Sequence, residues 1–198
     1  VSAREMLFRF ERERSLPLAR IGNMRIAMNE ADIPKLEEAR AFQRELGATD
    51  SLILTKAEVQ ALVPDMNCDG IVGALHGPND GHLDGYLLCT AMMDEAKDHG
   101  AKFLLNTAVT GYSKRGQKHV LHTAQGDVEA DIVINAAGAW ARLIGDMLGH
   151  AAPIKPEVHE VIKIKLPRKL GYVVPMCNFY MPGQQGAGVY FRQDGEDS

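Results

Sequence analysis

Asp131–Leu148, DIVINAAGAWARLIGDML, is the stretch whose reading decides the fold class. Ile132, Val133 and Ile134 form a continuous apolar run, as a parallel strand covered on both faces requires. Ala136, Ala137 and Gly138 then bring bare backbone to the strand's C-terminal edge, and the sequence restarts as a helix. In open α/β sheets that edge is where ligands sit, and small residues with free amides at a helix start suit a pyrophosphate. The same residues also make an ordinary tight turn between strand and helix, so the neighbouring segments have to decide.

Upstream, after Gly100, the apolar period is two. Ala101–Leu105, Ala108–Tyr112, His119–Thr123 and Val128–Ala130 read as short strands, with turns at Lys114–Gln117 and Ala124–Gly126, and this meander feeds into the apolar strand at Asp131. Downstream, Ile154–Leu166 and Gly188–Arg192 read as further strands. Towards the N-terminus, Ser2–Arg14 is helix-like, with Met6, Leu7 and Phe10 on one side, and Ile21–Met28 reads as a strand. Asn29 is the expected cap of a helix through Leu46, with Ile33, Leu36, Ala39 and Phe42 as its apolar stripe and Gly47 as its terminator. Thr55 and Glu58 have the spacing of a capping box, opening a short helix that Pro64 stops. Ile71–Leu75 reads as a strand followed by the loop His76–Gly85, HGPNDGHLDG, whose three Gly, one Pro and two Asp leave little regular structure. Asp84 is the expected cap of a helix Tyr86–His99 carrying Leu88, Ala91, Met92 and Ala96 on its apolar face. The order of elements predicts a mixed α/β (α+β) chain.

Composition narrows the function classes. The net charge of -4 and the lack of a basic stripe argue against a nucleic-acid partner. No apolar run approaches the roughly 18 residues of a membrane span, and no secretory leader opens the chain, so a cytoplasmic location is the expectation. Cys68, Cys89 and Cys177 lack metal-ligand spacing and read as reduced thiols, Cys89 as a buried helix residue, and no metal is expected. The nine Met, Met92 and Met93 especially, read as core filling. Val1 and the charged Asp194–Ser198 make both ends read as cut rather than finished.

Four segments, in this order and spacing, carry a resemblance. They are GALHGPNDGHLDGYLL at Gly73–Leu88, NTAVTGY at Asn106–Tyr112, GDVEADIVINAAGAWA at Gly126–Ala141 and GVYFRQDG at Gly188–Gly195. With them the chain resembles the FAD-dependent family of D-amino acid oxidase, glycine oxidase, sarcosine oxidase and dimethylglycine dehydrogenase. The resemblance implies part of an FAD-binding Rossmann-like domain with a β-meander, plus an antiparallel-sheet substrate domain. On that reading residues 1–83 belong to the substrate domain, 84–150 to the cofactor domain and 151–198 to the substrate domain again. It implies FAD as cofactor, held by Val109 through its backbone and by Ala136, Ala137 and Gly138, with Trp140 close by. It places Tyr190 towards a small amine or amino acid substrate. The stretch Pro156–Ile164, with His159, is similar to the secondary-amine branch, favouring an N-methyl amino acid.

The sequence departs from that family in having no G-x-G-x-x-G followed by a helix. GQQGAG at Gly183–Gly188 has the wrong spacing and precedes a strand. An internal piece of a longer oxidoreductase is the expectation, in need of a complementary segment or a homo-oligomeric partner.

Each candidate carries a plainer reading beside the functional one. His76 and His82 flank the Gly/Asp loop and can assist proton removal from an amine, or simply be loop histidines bonded to nearby backbone. Asp80 and Asp84 read as turn and cap residues. Arg192, two residues beyond Tyr190, shares its face of a strand and suits a carboxylate, or is a solvated edge residue. Trp140 is equally a packing residue between helix and sheet. No catalytic acid–base group is singled out, and the chemistry requires none, because the flavin takes the hydride. Oxidation of a 2-hydroxy acid or glycerol phosphate in the same superfamily, or a non-catalytic binding module, are the alternatives.

Overall fold

The computed structural model describes residues 2–179 and 188–195. In chain order, helix α1 (Ser2–Arg14) precedes strands β1 (Leu18–Ala19) and β2 (Asn23–Ala27), then helix α2 (Ile33–Glu45). Strand β3 (Leu52–Thr55) runs into helix α3 (Lys56–Leu62), followed by β4 (Gly73–Gly77), β5 (His82–Leu83) and helix α4 (Gly85–Asp98). The meander β6 (Val109–Arg115), β7 (Lys118–Thr123) and β8 (Val128–Ala130) comes next, then helix α5 (Ala141–Met147). Strands β9 (Met176–Asn178) and β10 (Tyr190–Phe191) complete the described elements. The chain divides into two compact units, Val1–Asp98 with Lys163–Ser198, and His99–Ile162.

The first unit is built on a five-stranded sheet of order β10-β9-β2-β4-β3. All its pairs are antiparallel except β2 with β9, which is parallel, so the sheet is mixed. Alternation along β2 assigns its faces. Met24 and Ile26 point into a core with Leu54, Val59, Val63, Ala74 and Cys177, under α3. Ala27 and Leu75 point the other way and are covered by Leu36 of α2. Met24, Ile26, Leu36 and Val59 are all at most 1% exposed, each burial favouring folding by about 1.5–3 kcal/mol.

Several local expectations hold. Thr55 and Glu58 form the capping box, Glu58 N donating to Thr55 Oγ1 (3.3 Å) and Thr55 N to Glu58 Oε2 (2.8 Å). Asp84 caps α4, its Oδ1 accepting from Tyr86 N (2.7 Å) and Leu87 N (3.2 Å). Helices α1 and α4 are joined by Phe10, Leu16 and Ala91 and by Arg9, which donates to both carboxylate oxygens of Glu95 at 2.9 and 2.7 Å.

Others are corrected. Asn29 does not cap α2: a short 3-10 turn, Glu30–Asp32, intervenes, and Asn29 Nδ2 donates to the Asp32 carboxylate instead (2.7 Å). Phe42 is 60% exposed, because the sheet meets α2 only along Ile33, Leu36 and Ala39. Cys89 and Met92 are exposed, since Ala91 and Leu88 are the α4 residues turned to α1. His76 is no loop residue: β4 extends through it, and it is buried with Nδ1 3.2 Å from the Asn23 carbonyl.

In the second unit the meander forms as the turns dictate, β6 with β7 and β7 with β8, all antiparallel. Polar side chains staple it: Ser113 Oγ lies 2.9 Å from His122 Nε2, and His122 Nδ1 lies 2.7 Å from Asp127 Oδ1. Asp131–Asn135, expected as a buried parallel strand, forms no strand, and Ile132 and Ile134 are 78% and 85% exposed. A strand needs a neighbour for its amides and carbonyls, and none of the described strands runs beside this stretch. The same reason corrects Ala101–Leu105 and Ile154–Leu166, where no strand forms and Leu105, Val158 and Val161 are exposed.

Candidate functional site

In the first unit, β1 and β5 pair at the mouth of a cleft of about 360 Å³, lined by Phe8, Arg20, Asn23, Asp80, His82 and Leu83 among others. Gly81 is required beside it, because a Cβ there would collide with the Ala19 carbonyl. The guanidinium groups of Arg4 and Arg20 lie 5.4 and 5.0 Å from the Phe8 ring centroid. Both are also paired, Arg20 with Glu11 (2.7 Å) and Arg4 with Asp50 (3.6 Å). Hydrogen bonding from Arg20 holds the Glu11 carboxyl below its ordinary range, and the Asn79 amide does the same for Asp50. Asp80 moves the other way: burial raises it, and the nearby Asp50 carboxylate adds to the shift.

His82 and Arg192 are brought together from 110 residues apart, Arg192 Nη1 lying 2.7 Å from His82 Nε2 and 3.0 Å from Nδ1. Burial lowers the His82 pKa, and the Arg192 cation lowers it further against the opposing Asp194. The imidazole is therefore biased to its neutral form, able to accept a proton. Tyr190 lies on edge strand β10 and is 53% exposed. The expectation that Arg192 shares its strand face is corrected: β10 ends at Phe191, and beyond it the chain turns the guanidinium to His82.

What Tyr190 does share is a rung of the sheet. Tyr190 is opposite Asn178, Asn178 opposite Arg25, Arg25 opposite Leu75 and Leu75 opposite Ile53. Asn178 Nδ2 donates to Asn23 Oδ1 (2.7 Å), tying this rung to a residue of the cleft. Arg25 and Asn178 were not among the sequence candidates. The available signal was an Arg in the middle of the alternating strand NMRIA.

In the second unit, Val109 opens β6 and is half-buried, with a bulge before Gly111. The turn before α5 is small and open: Ala136 and Gly138 are exposed, Ala137 is half-buried, and a Cβ on Gly138 (φ +54°) would meet nothing. Asn135 shapes it, accepting from Ala137 N (3.3 Å) and donating to the Ala141 carbonyl (2.8 Å). That role too was unread in the sequence. Trp140 is 68% exposed rather than packed between helix and sheet. An open turn of bare backbone fits the close approach of a flat or phosphorylated group. The Gly183–Gly188 stretch lies almost wholly outside the described residues. Among the described residues no cluster of three metal-ligating side chains occurs, and no helix is long and apolar enough to cross a membrane.

The model of the FAD-dependent oxidoreductase (DAO) family matches residues 1–198. The chain belongs to this family. Within it, the chain is 34% identical to mitochondrial dimethylglycine dehydrogenase of Rattus norvegicus over 116 residues, which is 58% of this chain and 14% of that protein. It is 31% identical to mitochondrial sarcosine dehydrogenase of Mus musculus over 181 residues, 88% of this chain and 19% of that protein. The structure of L-proline dehydrogenase from P. horikoshii superposes with a TM-score of 0.77 at 24% identity, covering 98% of this chain and 51% of the other. The chain thus spans about half, or much less, of the length of these proteins. Glycerol 3-phosphate dehydrogenase of Caloramator mitchellensis is a more distant match, at 24% identity over 90% of this chain and 37% of that protein.

Proposed function

We propose that these residues serve an FAD-dependent oxidoreductase that removes hydride from the C–N bond of an amino acid or secondary amine of the sarcosine or dimethylglycine kind. The observation that carries this is the alignment with a sarcosine dehydrogenase over 88% of the chain. On this reading the first unit belongs to the antiparallel, substrate-binding part of the fold. The second belongs to the Rossmann-like cofactor part.

The cofactor, when bound, supplies the hydride acceptor. Val109, Ala136, Ala137 and Gly138 would lie against it, with Trp140 beside them, since the turn carries only small side chains, Ala136 and Gly138 are exposed and a Cβ on Gly138 would meet nothing. The substrate side falls to Tyr190, Arg192 and His82. Hydride loss needs the nitrogen lone pair to form the C=N bond, so the substrate ammonium must first lose a proton. His82, kept neutral by burial and by Arg192, is suited to take it. Tyr190 offers a phenol to orient the substrate.

The test is anaerobic reduction in the full-length flavoprotein. Sarcosine, dimethylglycine, glycine and proline should bleach the visible flavin absorption, while glycerol 3-phosphate and 2-hydroxy acids leave it intact. Bleaching by a hydroxy substrate alone would overturn the assignment. A second reading, that the chain by itself pairs with another segment or copy rather than catalysing, is favoured by the exposure of Ile132, Ile134 and Val161. Light scattering showing a clean monomer of the isolated chain would count against it.

A further inference from the structure

We propose that Ser113, His122 and Asp127 form a nucleophilic site with an activity beyond hydride transfer: it takes an acyl group from a thioester or an aryl ester. Three places in the second unit supply it. Ser113 lies on β6, His122 on β7 and Asp127 in the turn before β8. The register sets His122 opposite Gly111, and so diagonal to Ser113 on one face of the meander. Both nitrogens of the imidazole are engaged, Nε2 2.9 Å from Ser113 Oγ and Nδ1 2.7 Å from Asp127 Oδ1. An ionised carboxylate can only accept, so the neutral ring carries its proton on Nδ1 and donates it to Asp127. Nε2 is then bare and accepts from the Ser113 hydroxyl. In that arrangement a histidine can take the proton as the serine oxygen attacks.

The meander does not need this relay to hold together. Strands β6 and β7 are paired from Val109 to Arg115, and Tyr112–His119 (2.8 Å), Arg115–Glu129 and Lys118–Asp131 (2.5 Å) tie the same sheet. Ser113 and Asp127 are exposed and His122 is half-buried, so a substrate can reach the hydroxyl. Gly111 keeps the edge of the ring clear, where a Cβ would come within 3.4 Å of His122 Cδ2. Beside Asp127, an open cleft of about 460 Å³ lined by Phe103, Leu104, Leu105 and Val128 offers apolar surface to an acyl chain. Water reaches the site, so the oxyanion formed on attack is solvated rather than caged, which restricts the site to donors with a good leaving group. With a thioester, Ser113 Oγ bonds to the acyl carbon and its proton passes to His122 Nε2. The carbon–sulfur bond then breaks, and the proton leaves with the thiolate as a free thiol. Water attacking the resulting acyl-serine through the same histidine releases the carboxylic acid and restores the hydroxyl.

The experiment treats the full-length flavoprotein with p-nitrophenyl butyrate, quenches in acid and locates the butyryl group by peptide mass spectrometry. It needs no turnover of the flavin; flavin content and thermal midpoint are checked for each variant. Ser113 should be acylated about 100-fold faster than Ser15, an exposed serine of the first unit that serves as the reference. Ser113→Ala should abolish that label, and His122→Gln should slow it about 100-fold. Asp127 acts through His122 and is a positioning residue, so Asp127→Asn should slow acylation at least about tenfold and Asp127→Glu should recover most of the rate. Acylation of Ser113 no faster than that of Ser15, or equally fast in His122→Gln, would overturn the proposal and leave the three residues as a staple of the meander. A label confined to the exposed thiol of Cys89 would do the same. Should a variant fail to fold, the ratio of Ser113 to Ser15 labelling in the unaltered protein still decides.

Discussion

Val59 and Ile134 are similar aliphatic side chains, yet one is fully buried and the other is 85% exposed. Val59 lies on a helix that the five-stranded sheet of the first unit receives, with Met24, Ile26 and Ala74 beneath it. Ile134 lies in the second unit beyond the last strand of the meander, where no described strand takes up its backbone. The side chains are alike in size and polarity, and the Ile132–Ile134 run is the more apolar of the two stretches. What separates them is the surface each meets: α3 satisfies its own backbone and packs on a formed sheet, whereas the Ile134 stretch would need a paired strand beside it and none of the described strands supplies one.

The contrast can be tested first through thiols, where the effect is largest. Burial, helped by nearby Cys68, pushes the Cys177 thiol up to about 12, whereas Cys89 is exposed. Near pH 8 the thiolate fractions of such a buried thiol and an ordinary one differ by roughly a thousandfold. Iodoacetamide should therefore label Cys89 alone in the native chain and all three cysteines after unfolding, read by mass spectrometry. Fast labelling of Cys177 would show that the first unit's core is not closed.

Stability gives the next largest contrast. Met24→Ala should cost about 2–5 kcal/mol in urea unfolding, and Ile134→Ala within about 0.5 kcal/mol. A large cost at Ile134 in the isolated chain would mean that its segment has found a partner. Thr55→Ala removes one half of the capping box and should cost about 1 kcal/mol, with Thr55→Ser recovering most of it.

The smallest effect concerns pH. His82 has a lowered pKa in the folded chain, so the unfolded chain binds the proton more readily. Its contribution to stability is complete above the ordinary imidazole value of about 6.5 and is lost as pH falls through the lower folded value. NMR titration should place the His82 midpoint below that of an ordinary histidine, and Arg192→Ala should move it upward. An unmoved midpoint would break the His82–Arg192 pairing.

Local signals were readable in the sequence because they act over a few residues. Helix α1, the box at Thr55–Glu58, the Asp84 cap and the β6–β7 hairpin all follow from spacings of two to four residues. Ile132–Ile134 misled because an apolar run reports a preference for burial and says nothing of an available neighbour. Strand β9 went unread for the opposite reason: three residues, Met176–Asn178, become a strand through β2, far earlier in the chain, and β10, beyond it. The site shows the same division. Tyr190 and His82 could be picked out on family resemblance and loop chemistry, but the Arg192–His82 contact is set by tertiary structure alone. Arg25 looked like one polar residue in a strand until its register across β9 and β10 was known.

The parallel join of β2 to β9 has a consequence for the order of assembly. Everything from His99 to Ile162, the whole second unit, is synthesised between the two halves of the first. Strands β2, β4 and β3 can pair as soon as the first half emerges, but β2 keeps an unsatisfied edge until Met176 follows. Closing that long loop is slow compared with forming the local hairpin of β6 and β7. A nascent chain released before then carries Met24 and Ile26 on an open strand edge, an invitation to aggregation that only translation of the last strands withdraws.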